Sequence, residues 1–229
     1  MNQQQSNCRG HFYSILLALI IGLIGTFWSL RHPRTEQPEQ PSLPQAGEGL
    51  TVYLLPAGEG QCVLATCGGD TLLLDAGDET FGQTAADFLR SQKVRRIDLL
   101  VSSRPDEAYS GGLAAVVQNF PVKHVWSAVE SDAGEGFTAF LAALSAAGQR
   151  AALPAEGEAF SLGDARVEVF FTDHITNALM LNLTYGETVC AIGGTSDREA
   201  FSLRPSSETD VTVYVSDGEE IVCLTDTGN

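Results

Sequence analysis

Basic charge is scarce in this chain: 13 Lys and Arg stand against 29 Asp and Glu in 229 residues, a formal charge of −16. The imbalance deepens past residue 35, where all 29 acids lie with only ten of the bases, a net of −19. Phosphate backbones bind proteins through Lys and Arg that displace condensed counterions. A nucleic-acid partner is therefore not expected, and the plainest role of the acidity is to keep the domain dissolved. Histidine is rarer still, with four in the chain. His124 shares a strand face with Val122 and Trp126 and has no ligand-type neighbour, so a packed or edge histidine is expected. His174 falls in the Asp173-His174-Ile175 turn and is expected to face solvent.

The five cysteines do not form a disulfide framework. Cys8 stands beside an apolar run, where acylation is chemically open and a plain thiol is the simpler expectation. Cys62, Cys67, Cys190 and Cys223 each sit in or at the end of an apolar segment, as small buried hydrophobes do. Cys62 and Cys67, read across a hairpin, are the one pair to test for a bridge.

A long uncharged run occurs once, at Phe12 to Leu30, 19 residues. At about 1.5 Å per residue it just spans a hydrocarbon core roughly 30 Å thick. Trp28 near one end and Phe12-Tyr13 near the other suit the two membrane interfaces. A cleaved leader would have a shorter apolar stretch and a small-x-small site, and no Ala-x-Ala pattern follows Leu23. An uncleaved anchor over residues 12–30 is expected, after a short tail at 1–11. Arg9 on one flank faces Arg31 and Arg34 on the other, so charge alone leaves the orientation open. Residues 31–49 carry four prolines and Leu43 as their one large apolar side chain, the composition of an extended tether. Residues 50–229 remain as one globular domain, with 44% hydrophobic content in the whole chain to build its core.

Within that domain, Leu50 to Glu79 predicts a strand, a glycine turn, a second strand, a tight Cys67-Gly68-Gly69-Asp70 hairpin and a third strand ending at Asp75-Ala76-Gly77. An amphipathic segment follows at Thr84 to Gln92, then an apolar strand at Ile97 to Ser102 that delivers Ser102-Ser103-Arg104-Pro105-Asp106-Glu107-Ala108-Tyr109-Ser110-Gly111-Gly112 at its carboxyl end. Val122 to Val129 predicts a strand, and Gly134 to Gly148 a helix with Phe137, Phe140, Leu141 and Leu144 on one face. Ala165 to Thr172, Ala178 to Tyr185 and Thr188 to Gly193 predict the strands of a second sheet.

This order resembles the amino-terminal half of the metallo-β-lactamase-fold hydrolases, most closely the extracytoplasmic hydrolase domain of ComEC-type competence proteins, which take up DNA. The resemblance covers roughly Leu50 to Thr195. In that family the strand ends in Thr-His-x-(His/Asp)-x-Asp-His-x-Gly-Gly. Here Ser103 stands for the Thr, Arg104 for the first His, Asp106 for the second ligand, Ala108 for the Asp and Tyr109 for the last His, before Gly111 and Gly112. The family's paired strands end in Gly-Asp, where this chain has Gly194-Thr195. Its His-His-Gly-Ser turn is matched weakly by Ser216-Asp217-Gly218-Glu219 after the strand from Asp210. The fold this implies is α/β (α+β): an αββα sandwich of metallo-β-lactamase type, open to truncation at its carboxyl end. The resemblance also tips the topology toward a cytoplasmic amino terminus and an extracytoplasmic domain, held at the cell membrane by a single pass.

The family uses zinc or manganese, and a hydrolytic zinc site takes about three protein ligands plus an open position for water. Arg104 has no lone pair to give a metal. Of the former metal-site positions Arg104, Asp106, Ala108, Tyr109, Thr195, Ser216 and Asp217, only Asp106 keeps its place in the motif as a ligand. No metal cofactor and no catalytic residue are expected. Asp75, Asp78 and Asp106 are expected to line the crevice, with Arg104 either bridging Asp106 to one of the other two acids or pointing to solvent. Two functions stay open: a binding or scaffold module with an unidentified protein or small-molecule partner, or a divergent hydrolase of the competence type acting on phosphodiester or other ester bonds.

Overall fold

The computed structural model describes residues 49–132, 134–173, 177–193, 202–204, 211–216 and 221–225. The expected anchor at 12–30, nearly all of the linker, and Cys8, His174, Thr195 and Asp217 lie outside the described residues. Among the described residues no helix is long and apolar enough to cross a membrane.

The chain opens with a meander of β1 (Leu50–Ala57), β2 (Gly60–Cys67) and β3 (Asp70–Leu74). The β2–β3 hairpin closes on Gly68 and Gly69, both at positive φ (57° and 87°), where a side chain would be strained. Helix α1 (Gly82–Ser91) leads to β4 (Ile97–Ser102), which lies parallel to β3. Two short helices, α2 (Glu107–Ser110) and α3 (Leu113–Asn119), lead to β5 (Val122–Ser127), parallel to β4. After α4 (Glu135–Ala146) come β6 (Ala159–Leu162), β7 (Ala165–Asp173), β8 (Ala178–Tyr185), β9 (Thr188–Gly193), β10 (Ser202–Arg204), β11 (Val211–Ser216) and β12 (Ile221–Thr225). The first sheet has the order β12-β11-β1-β2-β3-β4-β5, with β11 returning parallel to β1; the second runs β10-β9-β8-β7-β6.

Strand periodicity explains how the sheets meet. Val52, Val63, Ala65, Leu72, Leu74, Leu99 and Val101 point from the first sheet into one core with Val167, Val169, Leu179, Leu181, Leu183 and Ile192 of the second, all at most 2% exposed. Each such leucine removed from water contributes roughly 1.5–3 kcal/mol. The alternate residues of the first sheet, among them Tyr53, Leu64, Leu73 and Leu100, are buried under helices. Tyr53, for instance, meets Phe88 of α1 edge-on at 5.5 Å. Covered on both faces, β4 is apolar and buried along its whole length apart from Asp98 and Ser102, which are buried too.

Helices α1 and α4 bury one stripe each: Gly82, Ala85, Ala86 and Leu89 in the first, Phe137, Phe140, Ala143 and Leu144 in the second. Leu141, expected on that face, is only half-buried, because the stripe turns toward Ala143. The second sheet carries no helix on its outer face among the described residues; there Arg166, Glu168 and Phe170 are exposed. The described residues thus form helices on sheet on sheet, the two-sheet arrangement expected.

Cys62 and Cys67 cannot bridge. Both lie on β2, five residues and roughly 16 Å apart in an extended strand, on opposite faces. Cys67 joins the core between the sheets, while Cys62 faces the helix side, and both are buried free thiols like Cys190. His124 is an edge residue: β5 borders the sheet, and the His124 ring stands 5.5 Å from that of Phe160.

Candidate functional site

Parallel pairing of β3 and β4, with Leu74 beside Val101, brings Asp75 and Ser103 out together at the carboxyl ends of the strands. Asp75 continues the ladder by donating its N–H to Val101 O at 2.8 Å, then turns the chain at φ 58°, a left-handed conformation that Asp tolerates better than most side chains. Its carboxylate is fully buried. Oδ1 accepts the Ser103 N–H at 2.7 Å, and Oδ2 accepts the Ser103 hydroxyl and, at 2.9 Å, the Gln61 amide. Burial pushes the Asp75 carboxyl up to about 7, against the downward pull of the Ser103 and Gln61 hydrogen bonds and of the Arg104 charge. Burial, and then the charge of Asp75, also raise the neighbouring Cys62 thiol.

The same cluster fastens the two sheets. The Gln61 amide nitrogen donates a second time, to Gly193 O at the end of β9, at 2.9 Å. The Leu179 N–H of β8 donates to Ser103 O at 2.9 Å. Gln61 and Ser103 therefore hold the buried acid and the sheet-to-sheet seam at once.

Arg104 pairs with Asp106. Its Nε donates to Asp106 Oδ2 at 2.7 Å, and its Cζ lies 5.0 Å from the centre of the Tyr109 ring. The Arg104 side chain is 16% exposed and Asp106 49%. Among the ion pairs of the described residues none joins Arg104 to Asp75 or Asp78, so the expected bridge forms to Asp106 alone, through one nitrogen. Asp78 stands apart in a turn, where its Oδ1 accepts the Thr80 hydroxyl at 2.6 Å and the Phe81 N–H at 2.9 Å. Those bonds hold its carboxyl below the usual carboxylate range.

Ala108 and Tyr109 lie on α2, and the backbone oxygens of both make close contacts. Ala108 O packs so tightly on Gly60 that a Cβ there would fall 1.6 Å from it, and Tyr109 O accepts the Ala76 N–H at 3.1 Å. The Tyr109 hydroxyl is raised chiefly by burial, against the pull of Arg104. Gly112 lies against Ala76 O, where a Cβ would fall 2.1 Å from it. These glycines are thus required by backbone packing whatever the site binds. Ser216 ends β11, away from this cluster along the sheet order.

The structure gathers Asp75, Arg104, Asp106 and Tyr109 at one end of the first sheet, and adds Gln61, a partner the sequence analysis missed. Its signal was legible: Gln61 precedes Val63, Ala65 and Cys67 at period two, a lone amide on an apolar face. A zinc or manganese ion does not fit this set. Asp75 already accepts three hydrogen bonds from Ser103 and Gln61, Asp106 pairs with Arg104, and among the described residues no three His, Cys, Asp or Glu are placed to hold a metal.

No protein-family model and no curated protein sequence matches this chain. Solved structures do resemble it in fold. One is a Cronobacter sakazakii metallo-β-lactamase with a HARLDQ motif, 16% identical with a TM-score of 0.42, over 58% of this chain and 56% of that one. Another is MEM-A1, a subclass B3 metallo-β-lactamase from a soil metagenome library, 14% identical with a TM-score of 0.48, over 70% of this chain and 67% of its own. A third is the MIM-2 metallo-β-lactamase, 15% identical with a TM-score of 0.48, over 63% of this chain and 58% of that one. The chain thus spans little more than half of the first of these. The likeness is one of fold alone, a mixed α/β arrangement of two sheets with few helices.

Proposed function

We propose that the chain is a membrane-anchored binding or scaffold module that keeps a metallo-β-lactamase-type layout of ComEC-like descent without its hydrolytic chemistry. The observation that carries this reading is the contact of Arg104 with Asp106 and Tyr109. At a position where the resembled family places a metal ligand, this chain has a permanent cation, and that cation engages Asp106, the one carboxylate at a ligand position of the motif. The alternative, a divergent hydrolase acting on a phosphodiester or other ester, would draw on Asp75, whose carboxyl near 7 suits a general base. Asp75 is fully buried and already bonded to Ser103 and Gln61, so it has no face to offer a substrate.

Metal analysis of the full purified chain, dialysed against trace zinc and manganese, tests the reading. The expected content is below about one tenth of an ion per chain, since among the described residues no three ligands are placed to hold one. Stoichiometric metal, with hydrolysis of a phosphodiester that a chelator abolishes, would overturn it. The anchor at residues 12–30, with the amino terminus cytoplasmic and the domain extracytoplasmic, forms part of the same proposal. A tag after Asn229 should be cut by protease on intact protoplasts. A protected tag, or a mature form beginning after Thr26, would contradict it.

A further inference from the structure

A cleft of about 500 Å³ opens between the carboxyl end of β5, the 153–156 segment and the facing ends of β7 and β8. That size is ordinary for a small-molecule site. It adjoins the cluster described above but is distinct from it: Ala128 on its wall donates its N–H to Ser102 O at 3.0 Å, and Leu179 on its floor donates to Ser103 O at 2.9 Å. The wall is mostly apolar, with Leu153, Pro154, Ala128 and Leu179 among its residues. Leu153 is 50% exposed, one of two large apolar side chains left open to water among the described residues. Among the described residues that line the cleft, Glu156 is the one ionisable side chain and none is a base. The Glu156 carboxylate is held in place there, its Oε1 accepting the Thr172 N–H at 3.1 Å and the Thr172 hydroxyl at 3.3 Å.

We infer that this cleft binds a small cationic amphiphile, a compound with one ammonium or amidinium group for Glu156 and a short apolar body for the wall around Leu153. Glu156 is exposed at the rim of the cleft, so its pull on a cation is modest and the apolar side chain of Leu153 beside it has to supply part of the affinity. The net charge of −19 past residue 35 favours the approach of cations and repels anions of the same shape. The inference rests on the binding-module reading and specifies its ligand class. The two fail separately, because the described metal-site positions Arg104, Asp106, Ala108, Tyr109 and Ser216 are not among the residues that line the cleft.

Hexylammonium, hexanoate and hexanol, titrated into the full chain by calorimetry, provide the test. Hexylammonium should bind, hexanol more weakly and hexanoate not measurably. Glu156→Gln keeps an oxygen for Thr172 and should fold, yet weaken hexylammonium at least about tenfold while leaving hexanol unchanged. Leu153→Ser should weaken both. Glu187→Gln removes an exposed carboxylate in the β8–β9 turn and should change neither. Equal affinity for hexylammonium and hexanoate, or equal losses in Glu156→Gln and Glu187→Gln, would overturn the inference whatever the metal content proves to be.

Discussion

The amide of Gln61 donates to Asp75 Oδ2 at 2.9 Å while also reaching Gly193 O at 2.9 Å, so one side chain of β2 holds a buried acid of its own sheet and the backbone of the other. A neutral hydrogen-bond donor and a serine are the partners of that carboxylate. The charge of Asp75 is only partly compensated, which is why burial prevails and its carboxyl rises.

Stability should fall as pH rises through the range this carboxyl spans, from its ordinary 3.8 to about 7. The folded state holds the proton more tightly than the unfolded chain, so the contribution is fully present below about pH 4 and is lost by about pH 7. At about 1.4 kcal/mol per unit the loss is on the order of 4 kcal/mol. Urea midpoints of the wild type and Asp75→Asn across pH 4–8 measure it. The difference between the two curves should vary with pH in this sense, and parallel curves would show that Asp75 does not titrate there.

Gln61→Met should cost about 2–3 kcal/mol, because it keeps the side chain's length but removes the donor shared by Asp75 and Gly193 O. It should also move the Asp75 transition to higher pH, since the Gln61 bond is one of those lowering it. A variant as stable as wild type with an unmoved transition would show that this bond carries no weight.

For Arg104→Ala the expected cost is small, about 1 kcal/mol, because its partner Asp106 is half exposed and the pair is a single contact. A clamp on two buried acids would have cost on the order of 3 kcal/mol. The readout that separates Arg104 from any surface arginine is again Asp75, whose carboxyl should rise when this cation is removed.

Gly60→Ala should be among the most damaging single changes, costing about 3 kcal/mol or more, since its Cβ would land 1.6 Å from Ala108 O, a backbone atom that cannot turn aside as a side chain could. Gly134→Ala is the control. Its nearest neighbour would be the movable Asp132 carboxylate at 3.1 Å, and thermal melts should place it within about 0.5 kcal/mol of wild type.

Local pattern was enough to delimit much of this fold. The apolar runs at Ile97–Ser102, Ala178–Tyr185 and Thr188–Gly193 are strands over those very residues, and the Gly68-Gly69 turn joins β2 to β3, because alternation and glycine content act within a few residues. The short strands β6 and β10 carry too few residues for a period to show, and α2 and α3 lie in a stretch dominated by the altered ligand motif. That Arg104 and Ala108 carry no side-chain atom able to ligate a metal was also plain in the sequence, because a side chain's donor atoms do not depend on its surroundings. What those residues do instead was decided by tertiary structure. Gln61 meets Asp75 across 14 residues and Gly193 across 132, β11 returns beside β1, and Arg104 chooses Asp106 over Asp75. Burial, proton affinity and pairing are properties of neighbours in space, and only the packing of two sheets supplies those neighbours.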